Sequence, residues 1–345
     1  MDAVVTCTNI VKRFAMPHSR DVVTAVNDVS LSIFPGETLA LVGESGSGKT
    51  TVGRLLLHLL NPSEGRLFFH GEEFTFLSER SFLAYRPRIQ AVFQDPYDSL
   101  NPRLRVDQLI QEPLIRMKLC ASKHAVRVRL AELIDLVALD PSLLYRLPHE
   151  LSGGEQQKVG IARAIASNPE FIVLDEPMSS LDTFSRAEII FLLRRLQQEL
   201  NIAYLFITHD LNAAEAIASR VAVMYLGKIA ELAARDDLFA RPTHPYTQAL
   251  LSSALFPDPS ARGSVILLKG EIPSPIRLPT GCYFHSRCPI GDQSCTYSQP
   301  PLDAVADGHS VACFKLQQST LLWQEVHGKA STHEIDLNNG DPALN

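Results

Sequence analysis

The sequence has no apolar run long enough to cross a bilayer. Its longest apolar runs, such as residues 203–207 and 171–174, fall well short of the ~18 residues that a membrane-spanning helix requires. The first residues also lack the basic start, apolar stretch and small-residue cleavage site of a secretory signal. We therefore expect a cytosolic chain, which acts at a membrane only through partner proteins.

Positive charge is not in excess either. The chain of 345 residues has 32 basic and 38 acidic side chains, a formal net charge of −6. No global basic field is available to attract a phosphate backbone or anionic lipid, so we expect no nucleic-acid partner. Apolar residues make up 46% of the chain, enough for a sizeable core. The length suggests one large domain with a smaller appendage.

The periodicity of apolar residues changes along the chain. Residues 4–77 alternate β-rich segments with turn residues around one predicted helix, and residues 171–225 alternate strand and helix as βαβ units do. Beyond residue 241, prolines and cysteines dominate. We predict a nucleotide-binding α/β domain at residues 1–240 with a helical subdomain at about 95–152, a C-terminal region at 241–325 and a polar tail at 326–345.

The pattern G-x-x-x-x-G-K-T lies between a predicted strand at 38–42 and a predicted helix, as a phosphate-binding P-loop does. Glycines let the backbone curl so that N–H groups face a phosphate, and the helix N-terminus adds a favourable dipole. Lys49 would neutralise phosphate oxygens, and Thr50 would hold Mg²⁺. A Gly/Ser-rich turn is the weaker alternative. The candidate nucleotide ligands are Gly43, Glu44, Ser45, Gly46, Ser47, Gly48, Lys49, Thr50 and Thr51.

A second candidate element is the apolar run at 171–174, which ends in Asp175 and Glu176. Carboxylates at the carboxyl end of a parallel strand lie where α/β sheets bind ligands. This is the Walker B arrangement, in which Asp175 would bind Mg²⁺ and Glu176 would polarise the attacking water as general base. An acidic turn after a buried strand is the alternative, and the P-loop pattern makes it the weaker one.

The segment LSGGE at 151–155 resembles the signature motif of ABC ATPases. In that family the serine and glycines of the motif, here Ser152, Gly153 and Gly154, offer a hydroxyl and backbone N–H groups to a γ-phosphate held by a partner subunit. Read alone, the segment is an ordinary helix N-cap. Three further elements resemble the Q-loop, D-loop and switch histidine of the family. They are Gln94, residues 179–182 and His209.

The resemblance implies roles for individual residues. Gln94 would contact Mg²⁺ or the attacking water, and His209 would hydrogen-bond the γ-phosphate. Phe14 stands where the family places an aromatic ring against adenine, with core packing as the alternative. Glu155 stands where glutamine is usual. We expect its carboxylate to face its own helix N-terminus, and the alternative is that it weakens the composite ATP site that this signature completes.

Longer stretches resemble the ATP-binding subunits of oligopeptide and dipeptide importers. They are residues 94–102, 244–247, 270–275 and 281–289. The resemblance implies a P-loop NTPase core of the ABC type, with a RecA-like parallel sheet, an antiparallel β subdomain, a helical subdomain and a small Cys/Pro-rich C-terminal module. It also implies ATP and Mg²⁺ as ligands.

Among these importers the F-type subunit fits best. The implied partners are a D-type ATPase, two integral-membrane permeases that dock on Gln94 and the helical subdomain, and an extracytoplasmic binding protein. The chain would then lie on the cytoplasmic side of the inner membrane as a peripheral subunit. Related machinery imports nickel, opines or glutathione, so the cargo stays open. Two different functions also stay open, a soluble ABC ATPase of DNA repair or translation and a subunit that binds ATP but hydrolyses it poorly.

Four of the six cysteines crowd near the C-terminus. Cys282, Cys288, Cys295 and Cys313 are separated by 5, 6 and 17 residues, which is not a zinc-ribbon spacing. Gathered thiolates suit an iron–sulfur cluster or zinc. Some importer ATPases that resemble this chain carry a [4Fe–4S] cluster on corresponding cysteines, so we expect a cluster here. Zinc, buried free thiols and a partly oxidised pair are the alternatives.

Overall fold

Five parallel strands form the centre of the computed structural model, which describes residues 2–16, 19–94, 99–254 and 265–328. Three of these strands are buried at every residue, as expected where both faces of a parallel sheet are covered. In sheet order the five are β9 (Arg220–Tyr225), β3 (Thr38–Val42), β8 (Ala203–Thr208), β7 (Phe171–Asp175) and β6 (Ile89–Val92).

Two hydrophobic cores lie on opposite faces of this sheet. Tyr204 and Phe206 of β8 belong to one core, whereas Leu205 and Ile207 belong to the other, because successive side chains of a strand point to opposite faces. The helices that follow the strands cover these faces. They are α1 (Lys49–Leu56), α2 (Glu79–Phe82), α6 (Thr183–Leu200), α7 (Leu211–Ile217) and α8 (Arg235–Ala240).

Two helices lie within the helical subdomain predicted at about 95–152, and a third helix begins directly after it. They are α3 (Val106–Arg116), α4 (Lys123–Leu136) and α5 (Gly153–Ile165), joined through short 3-10 helices at Pro141–Tyr145 and Pro148–Glu150. Helix α5 packs against α3, α4, α6 and β6, so these three helices rest on one edge of the main sheet. Residues 95–98, part of the importer-like stretch after Gln94, lie outside the described residues.

A separate antiparallel sheet has the strand order β2 (Val22–Ile33), β1 (Val5–Ala15), β4 (Glu64–Phe69) and β5 (Glu72–Glu73). The sequence predicts two strands at 22–26 and 29–33, whereas the structure has one continuous strand. Asp28 lies between them with a positive φ of 59°, and the pairing with β1 shifts register nearby. The turn-forming residues therefore make an irregularity within the strand and do not end it.

The C-terminal region extends the main sheet. Strand β10 (Lys228–Ala234), which precedes this region, pairs antiparallel with β9. Within the region, β12 (His309–Val311) pairs with β10, and β11 (Asp303–Ala306) completes the edge. The proline pattern beyond residue 241 predicts no long element, but helices form outside the proline-rich stretch. They are α9 (Pro245–Ala254) and α10 (Leu316–Gly328), with a 3-10 helix at Gln293–Thr296.

The predicted tail at 326–345 begins inside α10, and its residues from 329 onward lie outside the described part of the chain. Within the described ranges, no helix combines the length and the apolar character needed to span a membrane.

Candidate nucleotide-binding and hydrolysis site

The P-loop turns from β3 into α1 at two positions that only glycine fits. Gly43 has φ +150°, and a Cβ there would lie 2.2 Å from the carbonyl oxygen of Met224. Gly48 has φ +106°, and a Cβ there would lie 2.1 Å from the carbonyl oxygen of Ala25. Both contacts are with backbone atoms, so any larger residue would displace the loop. Between them, residues 45–46 are exposed and residue 47 is buried.

The first turn of α1 offers donors to an anion. Gly48 is the N-cap in a left-handed conformation and supplies no side-chain cap, so the first N–H groups of the helix remain available. The Lys49 ammonium donates to the carbonyl oxygens of Gly43 and Glu44 at 2.8 and 2.9 Å. Burial lowers the pKa of Lys49, which the negative charge of Glu176 partly offsets. Phosphate oxygens would satisfy both the buried ammonium and the free N–H groups.

Thr50 and Asp175 meet directly, although they lie 125 residues apart in the sequence. The Thr50 hydroxyl donates to Oδ1 of Asp175 at 3.0 Å. Burial raises the pKa of Asp175, and the nearby Glu176 carboxylate raises it further. A hydroxyl and a carboxylate, both oxygen ligands, suit Mg²⁺, whose charge would stabilise the ionised form of this buried acid.

Glu176 and His209 form a second pair at the same sheet edge. His209 Nδ1 lies 3.2 Å from Oε1 of Glu176. The Glu176 backbone has a positive φ of 47°, and its N–H donates to the Ile207 carbonyl oxygen at 2.9 Å. Its side chain is 18% exposed, against 60% for His209. The carboxylate is therefore fixed at the edge of the cleft while the imidazole faces outward.

Three further predicted site residues, Gln94, Thr51 and Phe14, differ in their exposure. Val92 of β6 is opposite Leu174 of β7, so the exposed Gln94 leaves the sheet beside Asp175. Thr51 is half-buried in the first turn of α1. Phe14 is 37% exposed near the end of β1, with the Lys12 ammonium 5.2 Å from its ring centroid, and it belongs to neither hydrophobic core. This exposure disfavours the core-packing alternative for Phe14.

The signature segment begins α5 and does not join the P-loop. Ser152 Oγ accepts from the Glu155 N–H at 3.3 Å, and Glu155 Oε2 accepts from the Ser152 N–H at 2.7 Å. This is a reciprocal capping box. The Glu155 carboxylate thus faces its own helix N-terminus, as expected. Ser152 and Gly153 are exposed, whereas Gly154 packs with its Cα facing the Ser185 side chain.

Comparisons with known proteins agree with this geometry. Residues 26–179 match the family described as ABC transporter, and residues 230–295 match the oligopeptide/dipeptide transporter C-terminal region. The oligopeptide transport ATP-binding protein AppF of Bacillus subtilis is 47% identical over 296 residues, covering 84% of this chain and 89% of AppF. The probable peptide ABC transporter ATP-binding protein y4tS of Sinorhizobium fredii is 48% identical over 292 residues, covering 85% and 82%. The chain belongs to the ATP-binding proteins of peptide ABC transporters.

Solved ABC cassettes share the fold. The ATP-binding cassette MJ0796, in a dimeric post-hydrolysis state bound to ADP and Pi, aligns with a TM-score of 0.61 and 30% identity over 67% of this chain and 98% of that chain. The cassette cbiO1 of Clostridium perfringens aligns with a TM-score of 0.63 and 26% identity over 70% and 92%. The predicted ABC-type P-loop NTPase fold is confirmed. As an ABC ATPase, the chain acts on ATP with Mg²⁺.

The four C-terminal cysteines of this ABC ATPase line one small cavity of about 20 Å³, together with Phe284 and Ile290. Burial raises the pKa of Cys282 to about 11 and that of Cys288 to about 12, so without a cation these groups are neutral thiols. Across the described residues, no three His, Cys, Asp or Glu side chains are arranged to hold a metal ion. The crowding predicted from the sequence is real, but the ligand geometry of a metal site is not formed.

Two residues of the C-terminal region touch the P-loop, and sequence patterns did not single them out. Arg287 forms an ion pair with Glu44, and the Tyr246 hydroxyl accepts from the Glu44 N–H at 2.9 Å. Both lie in stretches that resemble peptide importers, and this resemblance is the only signal that points to them. Nothing in a local pattern indicates that these stretches reach Glu44.

The capping box of Glu155 leads to a prediction for the signature segment. Glu155→Gln should change ATP turnover of the assembled transporter by less than about twofold, because glutamine can make the same N-cap contact. Glu155→Ala should lose the contact and destabilise the chain by about 1 kcal/mol. Phosphate release and thermal unfolding measure the two effects. A several-fold gain in turnover for Glu155→Gln would instead support the idea that the carboxylate weakens the composite site.

Proposed function

We propose that this ABC ATPase energises the uptake of peptides through a transporter of the cytoplasmic membrane. The observation that supports this cargo most directly is the match of residues 230–295 to the oligopeptide/dipeptide transporter C-terminal region, because this region lies outside the general cassette. The relatives named above are described as oligopeptide or peptide transport proteins. Nickel, opines or glutathione are alternative cargoes for the same machinery, since other subunits select the substrate.

At the nucleotide site, the P-loop N–H groups and Lys49 would bind the β and γ phosphates of ATP. Thr50 and Asp175, already in contact at 3.0 Å, would hold Mg²⁺, which neutralises phosphate charge when bound. Gln94, exposed just beyond the end of β6, would contact Mg²⁺ or the attacking water. The ring of Phe14 would stack on adenine.

Hydrolysis would depend on the Glu176 and His209 pair. Glu176 would accept a proton from the attacking water and hold that water in line with the γ-phosphate. The 3.2 Å contact between His209 Nδ1 and Glu176 Oε1 keeps the imidazole beside this carboxylate, where it can also donate to a γ-phosphate oxygen. The roles of base and charge stabiliser would therefore fall on adjacent groups.

The catalytic unit we propose is a heterodimer with a second ATPase of the D type. Ser152 and Gly153 are exposed, and the capping contacts of Ser152 stay within its own helix start, so this signature is free to face a nucleotide on another subunit. The dimeric state described for the MJ0796 cassette supports this arrangement. Each ATP would then lie between the P-loop of one subunit and the signature of the other.

A groove beside the helical subdomain is the docking site we propose for a permease helix. It has a volume of about 490 Å³ and is lined by residues of α3, α5 and the β6 edge. Leu59 and Phe93 line it and are 48% and 42% exposed, so apolar surface is available for a partner. Gln157 is fully buried at the groove, and its amide has no hydrogen-bond partner in the described structure. Two permeases and an extracytoplasmic binding protein would complete a transporter with this chain as a peripheral subunit on the inner, cytoplasmic face.

Glu176→Gln tests the assignment of the catalytic base. In the assembled heterodimer we expect turnover at this site to fall about 100-fold, because the amide cannot accept the proton. ATP binding should persist, and phosphate release should drop to the contribution of the partner site. Glu215→Gln, an exposed acid on α7, is the matched control. Undiminished release by Glu176→Gln would show that this site does not catalyse hydrolysis.

Leu59→Asp tests the permease groove. A charge in this apolar surface should reduce co-purification of the chain with the permeases by at least about tenfold, because docking would bury an unpaired carboxylate. ATP affinity of the isolated chain should not change. Leu83→Asp places the same charge on a leucine that is 63% exposed and does not line the groove. Equal assembly of the two variants would locate the permeases elsewhere.

We propose in addition that the four cysteines hold an iron–sulfur cluster, which requires the thiols to deprotonate and move apart. The shared cavity of Cys282, Cys288, Cys295 and Cys313 supports this assignment. Protein purified without oxygen should be brown, absorb near about 400 nm and contain iron and acid-labile sulfide. Cys288→Ser should lose most of both, whereas Cys120→Ser should not. Colourless, iron-free wild-type protein would refute the cluster, and zinc in the same preparation would favour the alternative.

A further inference from the structure

Glu44, the second residue of the P-loop, is held by an arginine from the C-terminal region. Arg287 Nη1 donates to Oε2 of Glu44 at 2.7 Å, and Nη2 donates to Oε1 at 2.9 Å. The side chains are only 9% and 26% exposed, so solvent screens this pair weakly. Two parallel hydrogen bonds between guanidinium and carboxylate fix orientation as well as distance. The hydrogen bonds to Glu44 also raise the pKa of Arg287.

The backbone of the same residue has a second partner. The Glu44 N–H donates to the hydroxyl of Tyr246, whose side chain is fully buried. The ring of Tyr246 lies 4.7 Å from that of Tyr225 and 5.4 Å from that of Phe284, measured between centroids. The main chain of Glu44 is therefore anchored to a packed aromatic cluster, and its side chain is anchored to Arg287.

This anchoring affects the charge of the nucleotide site. A free carboxylate in a loop that binds a polyphosphate would repel the ligand, and repulsion at a partly buried position is stronger than in bulk water. Arg287 neutralises that carboxylate and draws it toward Tyr225, whose hydroxyl lies 3.5 Å from the same guanidinium nitrogen. No other cation is hydrogen-bonded to the Glu44 carboxylate within the described ranges.

We propose that Arg287 and Tyr246 are positioning residues of the P-loop, and that Arg287 keeps the Glu44 carboxylate neutralised so that ATP can bind. The proposal rests on the assignment of this loop as the phosphate site. It gives the C-terminal region a direct part in nucleotide binding. Arg287 immediately precedes Cys288, whose side chain lines the cysteine cavity. The cavity and the contact with Glu44 therefore involve neighbouring residues of the chain.

A double-mutant cycle tests the charge argument in the assembled transporter. Arg287→Met should raise the KM for ATP about tenfold while kcat changes less than about twofold, because an unpaired carboxylate opposes phosphate binding. Adding Glu44→Gln to Arg287→Met should return the KM to within about threefold of the wild-type value, since no unpaired charge remains. Arg287→Lys keeps the charge without the paired geometry, so its KM for ATP should lie between those of the wild type and Arg287→Met. Arg277→Met, an exposed arginine of the same region, is the control.

The results separate this proposal from the site assignment on which it rests. An unchanged KM for Arg287→Met would overturn the role of Arg287. No recovery of the KM in the double variant would overturn it too, because a purely structural defect caused by Arg287→Met would not be corrected by Glu44→Gln. If Arg287→Met does not fold, Arg287→Lys and Tyr246→Phe decide by the same KM measurement, and wild-type values for both would overturn the proposal. Lys49→Ala tests separately whether the P-loop is the phosphate site. If it binds a fluorescent ATP analogue normally, the phosphate site is wrongly assigned.

Discussion

The parallel register of β3, β8 and β7 is the constraint on which the site depends. Val42 is opposite Thr208, and Ile207 is opposite Asp175, so the carboxyl ends of all three strands lie at one edge. The P-loop leaves β3 there, the two carboxylates leave β7, and His209 leaves β8. Once the buried strands are in this register, residues more than a hundred positions apart must meet.

The electrostatics of the edge favour the binding of an anion beside Lys49 and of a cation beside Asp175. Burial lowers the pKa of Lys49 and raises that of Asp175, so each group would hold its charge more firmly with an opposite charge beside it. Phosphate would supply negative charge to the lysine, and Mg²⁺ would supply positive charge to the aspartate. Gly43 and Gly48 lie so close to the carbonyl oxygens of Met224 and Ala25 that the loop can pass there only without side chains at these two positions.

The C-terminal region is continuous with the cassette in structural terms. Its hairpin of β11 and β12 joins the main sheet through β10, and the buried Glu231 of β10 accepts from the N–H of His244 and contacts His309 at 2.7 Å. The boundary near residue 241 marks a change of composition only. Hydrogen bonds and packing contacts join residues before it to residues after it. This continuity places Tyr246 and Arg287 against the P-loop.

The sequence by itself determined the local chemistry. The P-loop, the Asp175 and Glu176 pair, the strand before His209 and the capping of α5 by Ser152 and Glu155 depend on residues a few positions apart, where turn preferences and periodicity are informative. Only the tertiary structure decided the distant contacts. The pairing of Arg287 with Glu44 spans 243 positions, the four cysteines gather in one cavity, and β12 joins the main sheet. Such contacts arise from the packing of whole elements, and no local pattern of residue types specifies which of many distant partners a side chain will meet.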